Sequence, residues 1–332
     1  MAWYSAKYQS IRTSNEGIGG GGVMKKDIST RDGFGDAIVE LARDNKDIFV
    51  IDCDISKSTK TTKYAKTFPD RHINVGIAEQ NAASFAAGLS TMGKVPFVST
   101  YAVFGSMRMC EQVRTSICYP GLNVKIACSH GGVTPGNDGV THQAIEDMGI
   151  YRSIAGMTII MPADYNSTKK LVKRAAEYFG PVYLRFTRDP VPSYYSDDEE
   201  FEIGKGKVLK QGKDISIIAI GDLLHEAIKA ANELEKQGVS VELIDMHTLK
   251  PLDEEIIKET IERTGKIITV EDHNILNGLG SAVADVVAQN EKGIMRKVGL
   301  KDRYAESGEY AKLLEKYEMD SKYILKMAEE LL

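Results

Sequence analysis

Apolar positions in this chain fall into short blocks separated by longer stretches of helical spacing. The blocks IFVIDCD, VPFVST, NVKIACSH, MTIIMPAD and VYLRF are rich in β-branched and aromatic residues, as buried strands are. Between them apolar residues recur every three to four positions, so the pattern from Ser29 onward predicts a parallel sheet with helices on both faces. The segment TRDPVPSYYSDDEEFEIGKGK, with prolines, an acidic run and glycines, interrupts this rhythm and predicts a surface linker with a domain boundary near Ser196. A second α/β series follows. Its strands are ISIIAI, VSVELIDM and KIITVED, its helices start at Asp222 and Asp253, and two amphipathic helices close the chain at about 310–317 and 321–332. Residues 1–23 end in a glycine run ahead of Met24 and read as a leader or flexible extension. The expected organisation is therefore α/β with two domains, 24–195 and 196–332, each a mainly parallel sheet flanked by helices.

Composition narrows the function classes. A length of 332 residues with 42% hydrophobic and 27% charged residues suits two ordinary globular units. The net charge of −5, without long like-charge runs, gives no basic footprint for nucleic acid. No apolar stretch approaches the roughly 18 residues needed to span a bilayer, and the start lacks the order of a signal peptide, so a cytoplasmic location with no membrane association is expected. Cys53, Cys110, Cys118 and Cys128 form no CxxC pair and are expected to be buried reduced thiols.

Three groups of residues carry candidate chemistry. Glu79 opens a helix of small residues. There a carboxylate either caps free backbone N–H groups or, if buried, holds a proton or meets a partner that shares one. Tyr101 and Phe104 follow a strand and are either core aromatics or a stacking surface. In CSHGGVTPGNDGVTHQ a strand ends at His130 and a glycine-rich loop leads to Asp138 and His142, a place where α/β sheets hold ligands. Two histidines and a carboxylate raise the question of zinc, but the spacing fits no standard motif and lacks a coordinating cysteine, so acid–base and hydroxyl-binding roles are preferred. Finally, Arg31, Ser58 and Arg188 lie beside strand ends, where guanidinium groups form either surface ion pairs or oxyanion sites.

The stretch HINVGIAEQNAASFAAGLSTMGKVPFVSTYAVFGSMRMCEQ, with GIAEQN at its centre, resembles the pyrimidine-binding domain of transketolases. LIDMHTLKPLD and VEDHNILNGLGSAVADVVAQ resemble their carboxy-terminal, Rossmann-like domain, and the likeness covers nearly all of Met24 to Leu332. The resemblance implies thiamine diphosphate as cofactor. Glu79 would hydrogen-bond a ring nitrogen of the aminopyrimidine and favour its imino tautomer, Tyr101 and Phe104 would stack against the ring, and Asp54 would also belong to the cofactor site. His130 and His142 would be catalytic. Arg31, Ser58, His130 and Arg188 would face the terminal phosphate of a sugar, with Asp138 on a hydroxyl and His142 near its reacting oxygens. His247 and His273 would be structural. Lys57 departs from the proline common in the family, which puts the shape of that loop in doubt.

The family holds the cofactor's diphosphate and Mg²⁺ (or Ca²⁺) with a GDG sequence and a later asparagine, and no GDG occurs in this chain. GNDGV aligns instead with the sugar-facing loop. The resemblance therefore implies the C-terminal subunit of a split transketolase, working with an N-terminal subunit in an assembly of two of each about a two-fold axis. The expected reaction is transfer of a two-carbon ketol unit from a ketose phosphate to an aldose phosphate, as in the pentose phosphate pathway. Other readings are a 2-oxoacid dehydrogenase beta subunit, a 1-deoxyxylulose-5-phosphate synthase-like enzyme, and a non-catalytic scaffold.

Overall fold

A computed structural model describes residues 27–290 and 292–332; the reading of residues 1–23 lies outside them. In the first domain the strands are β1 (Ile48–Asp52), β2 (His72–Asn74), β3 (Val95–Tyr101), β4 (Lys125–Ser129), β5 (Thr158–Ile160) and β6 (Val182–Arg185). The second contributes β7 (Lys207–Lys210), β8 (Ile215–Ala219), β9 (Val241–Asp245), β10 (Thr248–Lys250), β11 (Lys266–Asn274) and β12 (Ile294–Leu300). They form two sheets, ordered β10-β5-β6-β4-β3-β1-β2 and β12-β11-β8-β9-β7. All pairings are parallel except β10 with β5 and β7 with β9.

Every strand block read from the apolar pattern is present. The central strands β4 and β6 are buried along their whole length, which is why they read as continuous apolar runs rather than alternating ones. Helices begin where capping chemistry allows. Ser29 caps Thr30–Asp44, accepting from the Asp32 N–H, and Asp164 with Ser167 forms a capping box for Tyr165–Glu177. Asp253 caps Glu254–Arg263. The helix expected at Asp222 starts at Leu224, after a single 3₁₀ turn over Gly221–Leu223.

Four strands were not marked by the pattern. β2 has only three residues, β7 starts on the last residue of the segment read as linker and is half-buried throughout, and β12 begins with exposed and half-exposed positions that break the apolar signal. β10 comes from the second domain yet completes the first sheet, setting Thr248 opposite Ile160. The two domains thus share a sheet edge that no local pattern announces. Both of their cores are extensive, with Phe34 stacked on Phe186 at 5.0 Å between ring centroids in the first. Among the described residues no helix is long and apolar enough to cross a membrane.

All four cysteines are free, and Cys53, Cys118 and Cys128 are buried, whereas Cys110 is half-buried. Burial pushes the Cys53 thiol up to about 12 and that of Cys118 to about 11, so both stay protonated and unreactive at neutral pH.

Candidate active site

The candidate residues gather at the carboxyl ends of the parallel strands, the usual ligand position in such sheets. Tyr101 ends β3, His130 follows β4 and Arg188 lies just beyond β6. Glu79 is the first residue of the helix Glu79–Thr91 and is only 4% exposed. It meets a partner: Arg108 Nη1 donates to Glu79 Oε1 at 3.0 Å. The same guanidinium lies over the ring of Phe104, with its carbon 3.8 Å from the centroid. Phe104 and Arg108 are one helical turn apart, the Arg108 N–H donating to the Phe104 carbonyl, so the backbone itself sets this stacking.

Around Glu79 the aromatic rings form one cluster. Tyr101 and Phe104 stack with centroids 5.7 Å apart, and Tyr101 lies 3.9 Å from the imidazole of His130. His142 meets Phe104 edge-on at 5.6 Å and Tyr101 at 5.9 Å. Both aromatics are therefore half-buried walls of a cleft rather than members of the core. A flat nitrogen-containing ring with one face on Phe104 and an N–H or ring nitrogen toward Glu79 is the ligand chemistry these walls suit.

A second cluster is cationic. Arg31 Nη1 donates to the carbonyl of Ser58 at 2.9 Å, while its Nε is buried without a hydrogen-bond partner among the described residues. The Ser58 carbonyl thus positions the Arg31 guanidinium. Arg188 donates to the Pro135 carbonyl and lies 3.4 Å from Asp138 Oδ2. Burial, followed by the charges of Arg31, Arg188 and His142, lowers the pKa of His130 to about 3. At neutral pH His130 is consequently an uncharged imidazole, its Nδ1 2.8 Å from the Ser129 hydroxyl. Two guanidinium groups that both bear on one buried neutral histidine give this end of the cleft a positive field, chemistry that suits an anion. Asp54 lies just past the end of β1: it is exposed, adopts a left-handed φ of 64° and exchanges two hydrogen bonds of 3.1 Å with Asn74.

Several supporting residues escaped the sequence reading. Asp52, fully buried at the end of β1, accepts from Thr61 at 2.8 Å and Ser56 at 2.9 Å and contacts His72 Nε2 at 2.5 Å. It pins the loop that carries Asp54 and Ser58. The hydroxyl-rich run SKSTKTT after an acidic strand end was its available signal. Arg108 could have been found from its i,i+4 spacing to Phe104.

Asp272 had no local signal at all. It projects from β11 of the second domain into the glycine-rich loop, where its oxygens accept from the Val133 N–H at 3.0 Å. Gly132, at φ 64°, has to be glycine for this, because a Cβ there would come within 2.0 Å of Asp272 Oδ2. Burial and the neighbouring Asp222 raise the Asp272 carboxyl to about 8. Further braces come from the Glu306 carbonyl, which accepts from Gln143, and from Gly308, whose N–H donates to Gly136. The second domain therefore holds the loop bearing Asp138 and His142. His247 and His273 are buried, with His273 accepting from the Gly149 N–H at 3.3 Å and His247 beside Thr248 at 3.0 Å.

Comparison with known proteins gives a consistent assignment. Residues 26–193 match the family model described as transketolase, pyrimidine binding domain, and residues 204–324 match transketolase, C-terminal domain. A putative transketolase C-terminal section of Methanocaldococcus jannaschii is 45% identical over 300 residues, spanning 89% of this chain and 94% of that protein. An apulose-4-phosphate transketolase subunit of Phocaeicola vulgatus is 38% identical, covering 91% of this chain and 97% of its own. Among solved structures, a split gene transketolase described as an inactive beta4 tetramer superposes with a TM-score of 0.86 at 47% identity, covering 92% of this chain and 98% of that one.

Proposed function

This chain belongs to the transketolase family, and on that premise we propose that it is the C-terminal subunit of a two-subunit thiamine diphosphate-dependent transketolase. Its reaction is transfer of a two-carbon ketol unit from a ketose phosphate to an aldose phosphate, in the cytoplasm. The observation that carries this reading is Glu79, a buried carboxylate joined through Arg108 to the face of the Phe104 ring, in a cleft that also gathers two arginines about His130.

The residues present fit the cofactor's pyrimidine half. A planar nitrogen group, the Arg108 guanidinium, already lies on Phe104 and donates to Glu79, so the space and the acceptor suit an aminopyrimidine. When bound, the cofactor supplies a nucleophilic carbon that attacks the ketose carbonyl. Glu79 shares a proton with the pyrimidine ring nitrogen, a role that needs a carboxyl group. Tyr101 and Phe104 orient the ring, and Asp54 borders the cofactor site. His130, held neutral, and His142 handle protons at the reacting oxygens, where an imidazole can donate or accept. Asp138 receives a sugar hydroxyl. Arg31, Ser58, His130 and Arg188 hold the terminal phosphate, and the unpartnered Nε of Arg31 supports that role.

The diphosphate and Mg²⁺ (or Ca²⁺) are assigned to an N-terminal partner subunit, and the assembly to two of each chain. The exposed apolar residues Ile77, Met107 and Val140 flank Glu79, Arg108 and His142 in sequence, as expected of a site covered by another chain. The solved split-gene relative, an inactive tetramer of beta subunits, supports the need for a partner. Relatives named for apulose 4-phosphate or 6-deoxy-6-sulfo-D-fructose leave the choice of sugar to residues such as Lys57, the neighbour of Ser58 in sequence.

Mixing the chain with its diphosphate-binding subunit and supplying xylulose 5-phosphate and ribose 5-phosphate tests the assignment. Ketol transfer is expected from the mixture and from neither subunit alone; equal turnover by this chain unaccompanied overturns the two-subunit reading. In the same assay Arg188→Ala is expected to raise KM for phosphorylated sugars about 10-fold or more, the loss of a charge-assisted hydrogen bond. An equal rise for unphosphorylated sugars argues against a phosphate contact.

A further inference from the structure

Arg108 takes no part in the roles assigned so far, yet it occupies the centre of the cofactor cleft. Its Nη1 lies 3.0 Å from Glu79 Oε1, and its guanidinium carbon is 3.8 Å above the Phe104 ring. A guanidinium is flat and carries N–H donors in its own plane. It therefore offers the two features an aminopyrimidine would offer here, a face for the aromatic ring and a hydrogen for the carboxylate. One space cannot hold both. The side chain is 48% exposed, whereas that of Glu79 is 5% exposed, so Arg108 can withdraw into solvent while the carboxylate stays in place.

We propose that Arg108 is a built-in surrogate for the pyrimidine: it pairs with Glu79 and covers Phe104 in the cofactor-free subunit, and it leaves when the ring docks. The inference rests on the reading of Glu79 as the pyrimidine-binding carboxylate. Its physical basis is the cost of an unpaired buried charge. Without a partner Glu79 would be strongly destabilising, and until cofactor and second subunit arrive the guanidinium supplies that partner. The same contact lowers cofactor affinity, since only the fraction of molecules with Arg108 withdrawn can bind. Arg108 is thus a positioning residue that sets the threshold for loading the enzyme.

The isolated chain tests this directly with 4-amino-5-hydroxymethyl-2-methylpyrimidine, a probe that needs no diphosphate site. Binding is measured by saturation-transfer NMR for the unaltered chain, Arg108→Met, Arg108→Lys, Arg108→Ala and the double variant Arg108→Met with Glu79→Ala. Arg108→Met is expected to bind the probe about fivefold more tightly than the unaltered chain, the magnitude of one half-exposed ion pair. Arg108→Lys, which can pair with Glu79 but cannot lie flat, is expected to fall between them. Added ethylguanidinium is expected to displace the probe from Arg108→Ala. Equal or weaker binding by Arg108→Met and Arg108→Lys, in chains that melt as the unaltered one does, overturns the surrogate. If the probe binding is then still abolished by removing the Glu79 carboxylate, the pyrimidine role of Glu79 survives that failure. Absence of binding in every variant overturns both.

Discussion

Glu79→Gln is expected to reduce ketol-transfer turnover of the assembled enzyme by about 10²-fold or more, the range of a lost acid–base group, while leaving the fold intact. The amide has the same shape and its oxygen can still accept from Arg108 Nη1, which now donates at 3.0 Å. Its position at the start of Glu79–Thr91 removes no backbone cap, because Ala78 precedes it and no side chain caps that helix. What the amide lacks is an exchangeable carboxyl proton to share with a ring nitrogen. The check is kcat of the complex, alongside the circular dichroism spectrum and melting temperature of the chain. Turnover within a few-fold of the unaltered enzyme would remove Glu79 from the mechanism.

The largest effect on stability is expected from Arg185→Met, a loss of about 3–5 kcal/mol. Arg185 is fully buried at the end of β6. Its Nε donates to Asp147 Oδ2 at 2.7 Å, and its Nη2 donates to Asp147 Oδ1 at 3.1 Å, to the Ala144 carbonyl at 2.8 Å and to the Asp272 carbonyl at 3.0 Å. Burial disfavours the charged guanidinium, but the Asp147 carboxylate outweighs it and holds the proton more firmly than in water. Methionine fills a similar volume and leaves Asp147 buried with only the Tyr183 hydroxyl, 2.5 Å away, as hydrogen-bond donor. It also takes one donor from each of two carbonyls at the seam between the domains, of which Ala144 keeps the Gly132 N–H at 2.7 Å. Urea unfolding measures the loss, and a change below about 1 kcal/mol would mean that the pair is solvated or dispensable. Adding Asp147→Leu to Arg185→Met is expected to recover part of the stability, since most of the cost is the stranded charge.

Both effects bear on what could be seen before any coordinates. Glu79, Tyr101, Phe104, His130 and His142 stood out because each sits next to a strand end or helix start, features that apolar periodicity and capping reveal locally. The choice left open for Glu79, between capping, holding a proton and pairing, required knowing what stands across the cleft. Arg108 answers it by pairing, through a contact 29 residues away in sequence. The neutral state of His130 likewise depends on burial and on two arginines, one from each end of the domain.

The amino-acid sequence by itself determined the α/β class and the main strands of both sheets. These follow from short-range periodicity, which a single segment expresses without help from the rest of the chain. The tertiary structure alone decided that β10 closes the first sheet, that Asp272 braces the glycine-rich loop across 139 residues of chain, and that the Ser58 carbonyl accepts from Arg31. Such contacts depend on burial and on the meeting of distant segments, and the energies that select them exist only once both segments are in place.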